Sequence, residues 1–283
     1  MNKVYFHSPN NYHTLTNIML SLFIPFLMYG FYKNGISLYI NKYVSLLMLF
    51  KPIFFVLIAI IISIIFSKIN KTTFREELLP NIIIAMITTY NTNVLIFAIL
   101  LIICNIIKKY LKINIIPIYM LINYLILIIM KNTSFLNYLE LNNTFDYSLL
   151  DYLIGKSIGG ISNTFIIMDI ISLIILCSNI NYKKYIPLVS LSIFYFLLFI
   201  TSFIKGTFAL NLFLNSNLLF AIIFICPLSL YSPYSKGACY IYGMLLGLLC
   251  FACSFLNLNM GIYLIILLLS LISPLLDKFI VRN

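Results

Sequence analysis

The chain has 283 residues, of which 63% are hydrophobic and 9% are charged, and its mean hydropathy is +1.07. In a water-soluble domain, about a quarter of the residues are charged. Because a soluble fold of this length could not bury so much apolar surface, the composition excludes a soluble globular protein and predicts a chain surrounded by lipid.

The net charge is +11, from 18 Lys and Arg residues against 7 Asp and Glu residues. Such a balance is typical of nucleic-acid binding when it occurs in a soluble domain. Here the cations lie in short gaps between apolar runs, and no basic stretch is long enough to form a groove. We therefore expect no nucleic-acid partner, and we expect the cations to contact lipid headgroups and to set the topology.

Apolar runs recur along the chain and predict an all-α, polytopic transmembrane helical bundle that forms a single integral membrane domain over residues 1–283. Several of the eleven runs are too short to cross alone, so we predict about ten spans. An even number of spans puts both termini on one side, and Lys3, Lys278 and Arg282 favour the cytoplasmic side of the cell membrane. The runs are Leu15–Tyr32, Ile36–Phe50, Pro52–Ile69, Pro80–Thr89, Asn93–Ile107, Ile115–Met130, Ser162–Ile180, Tyr185–Ile204, Phe208–Ile225, Lys236–Phe255 and Gly261–Leu276.

A repeated order of landmarks predicts two related five-helix halves, at about residues 15–131 and 149–277. Each half contains a polar break, at Thr88–Asn91 in the first and at Gly155–Asn163 in the second. Repeats with broken helices are typical of transporters, whose sites lie near the bilayer midplane. The landmarks are Lys108-Lys109 with Ile116-Pro117 in one copy, and Lys183-Lys184 with Ile186-Pro187 in the other.

The most informative stretch runs from Gly155 to Thr164, directly before a long apolar run. Glycines let the backbone turn sharply and expose its N–H groups, and the start of the following helix offers a positive dipole end. This pattern predicts a site for an anionic group such as a flavin phosphate; the alternative is a re-entrant turn that only connects two helices. The candidate cofactor-binding residues are Gly155, Gly159, Gly160, Ser162, Asn163 and Thr164.

Asp169 lies within the apolar run that follows this stretch. An ionisable side chain at that depth is energetically costly and indicates function. We expect Asp169 to lie on an ion or proton path. The alternative is a hydrogen bond to a polar neighbour in the bundle, such as Asn163, Thr164 or Ser172.

Other polar residues give weaker signals. Asp146 and Asp151 flank a short loop and are expected at the membrane interface. Cys250 and Cys253 form a C-x-x-C with apolar flanks and no nearby His, so we expect them to pack in the core. The sequence contains no arrangement typical of a nucleophile with its base or of a metal site, and we predict no catalytic or metal-binding residue.

Short motifs occur in a characteristic order along nearly the whole chain. In this order they resemble the motifs of one membrane family, which comprises the RnfD proteins of the Rnf electron-transport complex and the NqrB proteins of the sodium-translocating NADH:quinone oxidoreductase. The motifs are Ser8-Pro9-Asn10, Thr16–Met19, Pro25, Lys112–Pro117, Ile154–Thr164, Ile186-Pro187, Ser232-Pro233, Lys236-Gly237, Tyr242-Gly243, Gly247-Leu248 and Ser273–Asp277.

The resemblance implies a ten-helix fold and partner subunits of an Rnf/Nqr-type membrane complex. It also implies FMN in a subunit that couples electron flow to Na⁺ or H⁺ translocation. The family attaches FMN to the Thr of a Ser-Gly-Ala-Thr element. The corresponding stretch here, Asn143–Leu150, lacks that element, so the resemblance predicts FMN without the covalent link. A small-solute channel or transporter, and a non-catalytic structural subunit that has lost the flavin site, are the alternatives.

Overall fold

The computed structural model describes residues 12–42, 44–111, 113–129, 148–156, 159–206, 210–228, 231–255 and 260–281. In these segments all regular secondary structure is helical, which confirms the predicted all-α class. Short helices and turns connect the longer ones. The helices are α1 (Tyr12–Phe31, continued by a π-helical segment Tyr32–Ser37 and by Leu38–Ile40), α2 (Leu46–Leu49), α3 (Lys51–Asn70), α4 (Phe74–Ile87), α5 (Val94–Leu111), α6 (Ile115–Ile129), α7 (Leu149–Ile154), α8 (Ile166–Cys177), α9 (Tyr185–Lys205), α10 (Leu210–Phe213), α11 (Ser216–Phe220, continued by a π-helical segment Ala221–Ile225), α12 (Lys236–Phe255) and α13 (Gly261–Val281).

Six of these helices are long and apolar enough to cross a bilayer, namely α1 with its continuation, α3, α5, α9, α12 and α13. Their outer faces are apolar as well as their inner ones. On α9, for example, Phe196, Phe199 and Phe203 are 64%, 62% and 82% exposed. Helices that are hydrophobic all round belong in lipid, so the chain is a multi-pass membrane protein, as predicted.

Four shorter helices complete the bundle: α4, α6, α8 and α11 with its π-helical continuation. The helices then fall into two runs of five, α1–α3–α4–α5–α6 and α8–α9–α11–α12–α13. In each run the third helix is short, with 14 residues in α4 and five plus five in α11 and its continuation. The relation between the two halves stays a prediction.

The landmark dipeptides do not mark equivalent positions in the two runs. Lys108-Lys109 lies at the end of the fourth helix of the first run, whereas Lys183-Lys184 lies just before the second helix of the other. Pairing the two Lys-Lys landmarks therefore matches different helices from pairing by helix order, in which α3 corresponds to α9 and α4 to α11.

Neighbouring helices in the first run are antiparallel. The ammonium of Lys108, near the end of α5, lies 2.6 Å from the Glu77 carboxylate at the start of α4. At the other end, the Lys51 ammonium at the start of α3 donates to the carbonyl of Tyr90, which follows α4. These contacts put the start of α4 beside the end of α5, and the start of α3 beside the segment that follows α4.

A buried ladder of polar side chains joins α3, α4 and α5. Asn105 Nδ2 donates to Asn81 Oδ1 at 3.0 Å, and Asn81 Nδ2 donates to Ser63 Oγ at 2.9 Å. The Ser63 hydroxyl donates to the carbonyl of Ala59 at 2.6 Å, and the three polar side chains are fully buried. Interhelical hydrogen bonds of this kind hold helices together in lipid, where hydrophobic burial gives no driving force.

Close helix packing in the second run depends on two glycines of α12. A Cβ atom at Gly243 would lie 3.0 Å from the carbonyl oxygen of Ile186, and one at Gly247 would lie 2.7 Å from that of Ser190. Both carbonyls belong to α9. The spacing of four residues puts the glycines on one face of α12, and small residues there let the two backbones approach.

Candidate functional site

Residues 159–164 of the predicted glycine stretch form a buried turn that docks on the end of α4. The N–H of Ile161 donates to the carbonyl of Thr88 at 3.0 Å, and the N–H of Ser162 donates to that of Met86 at 2.9 Å. Carbonyls in the last turn of a helix lack partners within the helix, and in the bilayer interior they must find them in the protein. The turn therefore caps a helix that ends inside the bundle.

The glycines allow this close approach. A Cβ atom at Gly160 would lie 2.5 Å from the carbonyl oxygen of Ile87, and Gly155 has a φ of +86° beside the backbone of Thr164. From α1, Gly30 contributes as well, because a Cβ there would lie 2.6 Å from the carbonyl oxygen of Ile161. These positions accept no larger residue without displacing main-chain atoms.

Two residues of α1's π-helical segment hold the turn from the other side. The Lys33 ammonium donates to the carbonyl of Gly155 at 2.7 Å and to the hydroxyl of Thr164 at 3.0 Å. Asn34 Nδ2 donates to the carbonyl of Ile161 at 2.6 Å. Lys33 is 6% exposed and Asn34 is fully buried, so both are part of the interior.

Sequence reasoning missed Lys33 and Asn34 because it ended the first apolar run at Tyr32. That boundary is wrong: the helix continues through Lys33 and Asn34 as far as Ile40. A lysine and an asparagine between two apolar runs are typical of a loop, whereas their bonds to the glycine turn keep them inside the bundle. The available signal was the shortness of the gap, three residues between predicted spans.

A second hydrogen-bond network links the turn to helices α11 and α13 of the second run. Asn163 Nδ2 donates to Asn217 Oδ1 on α11 at 2.9 Å, and the hydroxyl of Tyr263 on α13 donates to the same oxygen at 2.5 Å. The structure thus brings the six predicted cofactor-binding residues together in and beside this turn, which contacts α1, α4 and α11. All six are buried, namely Gly155, Gly159, Gly160, Ser162, Asn163 and Thr164.

Asp169 lies one helical turn after the start of α8 and is fully buried. Neither of its carboxylate oxygens has a hydrogen-bond partner among the described residues. Ser172, three residues further and on the same face of the helix, is fully buried and its hydroxyl is also unpaired in this part of the chain. The expected bonds from Asn163, Thr164 or Ser172 to Asp169 do not form.

Glu77 shows how an acid in this bundle is neutralised when its role is structural. It is 2% exposed and lies 2.6 Å from the Lys108 ammonium. Thr72 and Asn70 donate to its other oxygen at 3.0 Å and 3.3 Å. Asp169 receives no such partners from the described residues, so its carboxylate, unlike that of Glu77, has no neutralising contact among them.

A family model described as the NQR2, RnfD, RnfE family matches residues 120–283, which is more than half of the chain. The chain belongs to the NQR2, RnfD, RnfE family. The matched region contains the end of α6, the glycine turn, Asp169 and the whole second run. A search of curated proteins finds no match. Membership of the NQR2, RnfD, RnfE family implies a membrane subunit of an Rnf/Nqr-type complex.

The flavin expected for this family requires hydrogen-bond donors for its phosphate, and two N–H groups of the turn already have acceptors in the protein. The N–H groups of Ile161 and Ser162 are bonded to α4, and the space beside Gly160 is filled by the carbonyl of Ile87. Beside the turn lies a groove of about 240 Å³, and Ser162 is the polar residue among those that line it. These two N–H groups are therefore not available to a flavin phosphate, and flavin binding stays a prediction from the resemblance.

The docking of the turn predicts opposite effects at two adjacent positions. We expect Gly160→Ala to lower the free energy of unfolding by about 1–3 kcal/mol, because its methyl group would overlap the Ile87 carbonyl. Ser162→Ala should leave stability unchanged or raise it slightly, because the Ser162 hydroxyl is buried and unpaired among the described residues. Unfolding midpoints of the purified proteins in one detergent measure both, and equal midpoints for Gly160→Ala and the native protein would contradict the docked turn.

Proposed function

We propose that this subunit couples electron flow to the translocation of Na⁺ or H⁺ in an Rnf/Nqr-type complex, and that Asp169 lies on the ion path. The observation that carries the proposal is the buried carboxylate of Asp169, unpaired among the described residues, beside the equally unpaired hydroxyl of Ser172. An isolated charge in such a place is strongly disfavoured. Asp169 must therefore hold a proton or a bound cation, and these are the two states that an ion-conducting acid alternates between.

The position of Asp169 supports the same role. Helix α8 begins beside the turn that caps α4, and α4 ends inside the bundle. A helix end and a polar turn near the midplane are typical of ion sites in transporters built from inverted repeats. The family match favours a complex subunit over an independent solute channel.

The chain's basic residues support an orientation with both termini in the cytoplasm. If all ten helices cross, nine of the described Lys and Arg residues outside the bundle interior share the side of the termini and four lie on the other. Cytoplasmic loops carry the excess of such residues. The nine are Lys68, Lys71, Arg75, Lys108, Lys109, Lys183, Lys184, Lys236 and Lys278, and the four are Lys42, Lys51, Lys156 and Lys205.

Replacing Asp169 tests the ion path. We expect Asp169→Asn to reduce electron-donor-driven ion uptake at least about tenfold in membrane vesicles that contain the complete complex, since an amide cannot exchange a proton or neutralise a cation. Co-purification of the other subunits should be unchanged. Asp151→Asn is the control, because Asp151 lies outside the bundle and pairs with Lys156 at 2.9 Å. Undiminished uptake by Asp169→Asn would rule the residue out.

Cysteine labelling tests the orientation. We expect a membrane-impermeant maleimide to label Lys205→Cys in intact cells and Lys184→Cys only after permeabilisation, because the two positions lie on opposite sides. The parent protein, with its six native cysteines, gives the background. The reverse pattern would invert the orientation, and labelling of both in intact cells would contradict the order of the helices.

A further inference from the structure

A lysine lies over a tyrosine ring at equivalent places in the two runs. In the first, the Lys51 ammonium at the start of α3 is 4.7 Å from the centre of the Tyr90 ring, which follows α4. In the second, the Lys183 ammonium just before α9 is 4.4 Å from the centre of the Tyr234 ring, which follows α11. Both lysines also donate to a carbonyl of the same segment, that of Tyr90 or of Ser232. The same lysine–tyrosine contact therefore occurs once in each run.

The second copy contains its own anion. The Asp277 carboxylate on α13 accepts hydrogen bonds from the backbone N–H groups of Tyr234, at 3.1 and 2.9 Å, and of Ser235, at 3.0 Å. It also lies within electrostatic reach of the Lys183 ammonium. In the second run, therefore, the positive charge of Lys183 has a carboxylate of the same chain nearby.

The first copy faces an open groove instead. Seven residues line a space of about 450 Å³ at the ends of α3 and α5, and none of the seven is acidic. Lys51 and two asparagines form its polar part, while the remaining wall is apolar and partly exposed. The lining residues are Leu47, Met48, Lys51, Phe54, Asn91, Asn93 and Val94.

The dipoles of two helices add to the positive potential of this groove. Lys51 is the first residue of α3 and Val94 the first of α5, so the positive ends of two long helices meet there. Asn93 accepts from the N–H of Leu95 at 3.0 Å and so caps α5. A fixed ammonium beside two amides, at the edge of an apolar wall, matches a ligand with an anionic head and a hydrocarbon tail.

We propose that this groove binds one anionic phospholipid, whose phosphate contacts Lys51 and the asparagine amides and whose acyl chain lies against Leu47, Met48 and Phe54. The exposure of these three side chains, 75%, 51% and 39%, opens the groove directly to the bilayer. The lipid supplies the anion that Asp277 supplies in the other copy. The site is separate from Asp169 and does not depend on the ion path.

Native mass spectrometry of the full-length protein in a non-ionic detergent tests the proposal. The protein is titrated with phosphatidylglycerol and, separately, with phosphatidylcholine of the same chains. We expect phosphatidylglycerol to bind more tightly, and its binding to be about fivefold weaker in Lys51→Gln. Lys68→Gln, which removes a lysine at the opposite end of α3, should bind like the native protein.

A second variant keeps the test decisive if Lys51→Gln does not fold. Asn93→Asp retains a good helix cap and adds a negative charge to the groove, so we expect it to weaken phosphatidylglycerol binding at least as much. Unchanged binding in the folded variants, or equal binding of phosphatidylcholine, would overturn the proposal. Displacement of the lipid by millimolar inorganic phosphate would also overturn it, since it would show a site for a soluble anion.

Discussion

The rest of the structure depends on one constraint: α4 ends inside the bundle, so the carbonyls at its end must be bonded by the protein itself. The glycine turn before α8 provides the donors, through the N–H groups of Ile161 and Ser162. Because α4 belongs to the first run of helices and the turn leads into the second, this pairing also joins the two runs. Lys33 and Asn34 then hold the turn from α1.

This constraint gives the glycine-rich turn a structural role. Glycines expose backbone N–H groups, and the groups that accept from those N–H groups decide what the turn holds. Here the acceptors are the carbonyls of Met86 and Thr88, and the space beside Gly160 is taken by Ile87. The same packing leaves Asp169 buried just beyond the turn, with oxygens that no described residue bonds. The function proposed for this family member therefore rests on the acid that the turn positions.

Much of the fold follows from the sequence, because apolar runs in lipid have few alternatives to helices. The positions of the breaks were also predictable, since Thr88–Asn91 and Gly155–Asn163 interrupt apolar runs with residues that favour turns. Partners were not. Nothing local in the sequence indicates that Lys33 bonds to residues more than 120 positions away. The ladder of Ser63, Asn81 and Asn105 was missed for the same reason, because isolated polar residues gain meaning only once their helices are adjacent.

Hydrogen exchange of the turn tests the central claim most directly. If the turn caps α4 in the bilayer interior, the amides of Ile161 and Ser162 in the reconstituted protein should exchange as slowly as those in the middle of α5. The amide of Ile180, a residue that is 84% exposed in the loop between α8 and α9, should exchange much faster and serve as the internal reference. Exchange of Ile161 and Ser162 as fast as that reference loop would show that the turn is open to water, and would contradict both the docking on α4 and the burial of Asp169 behind it.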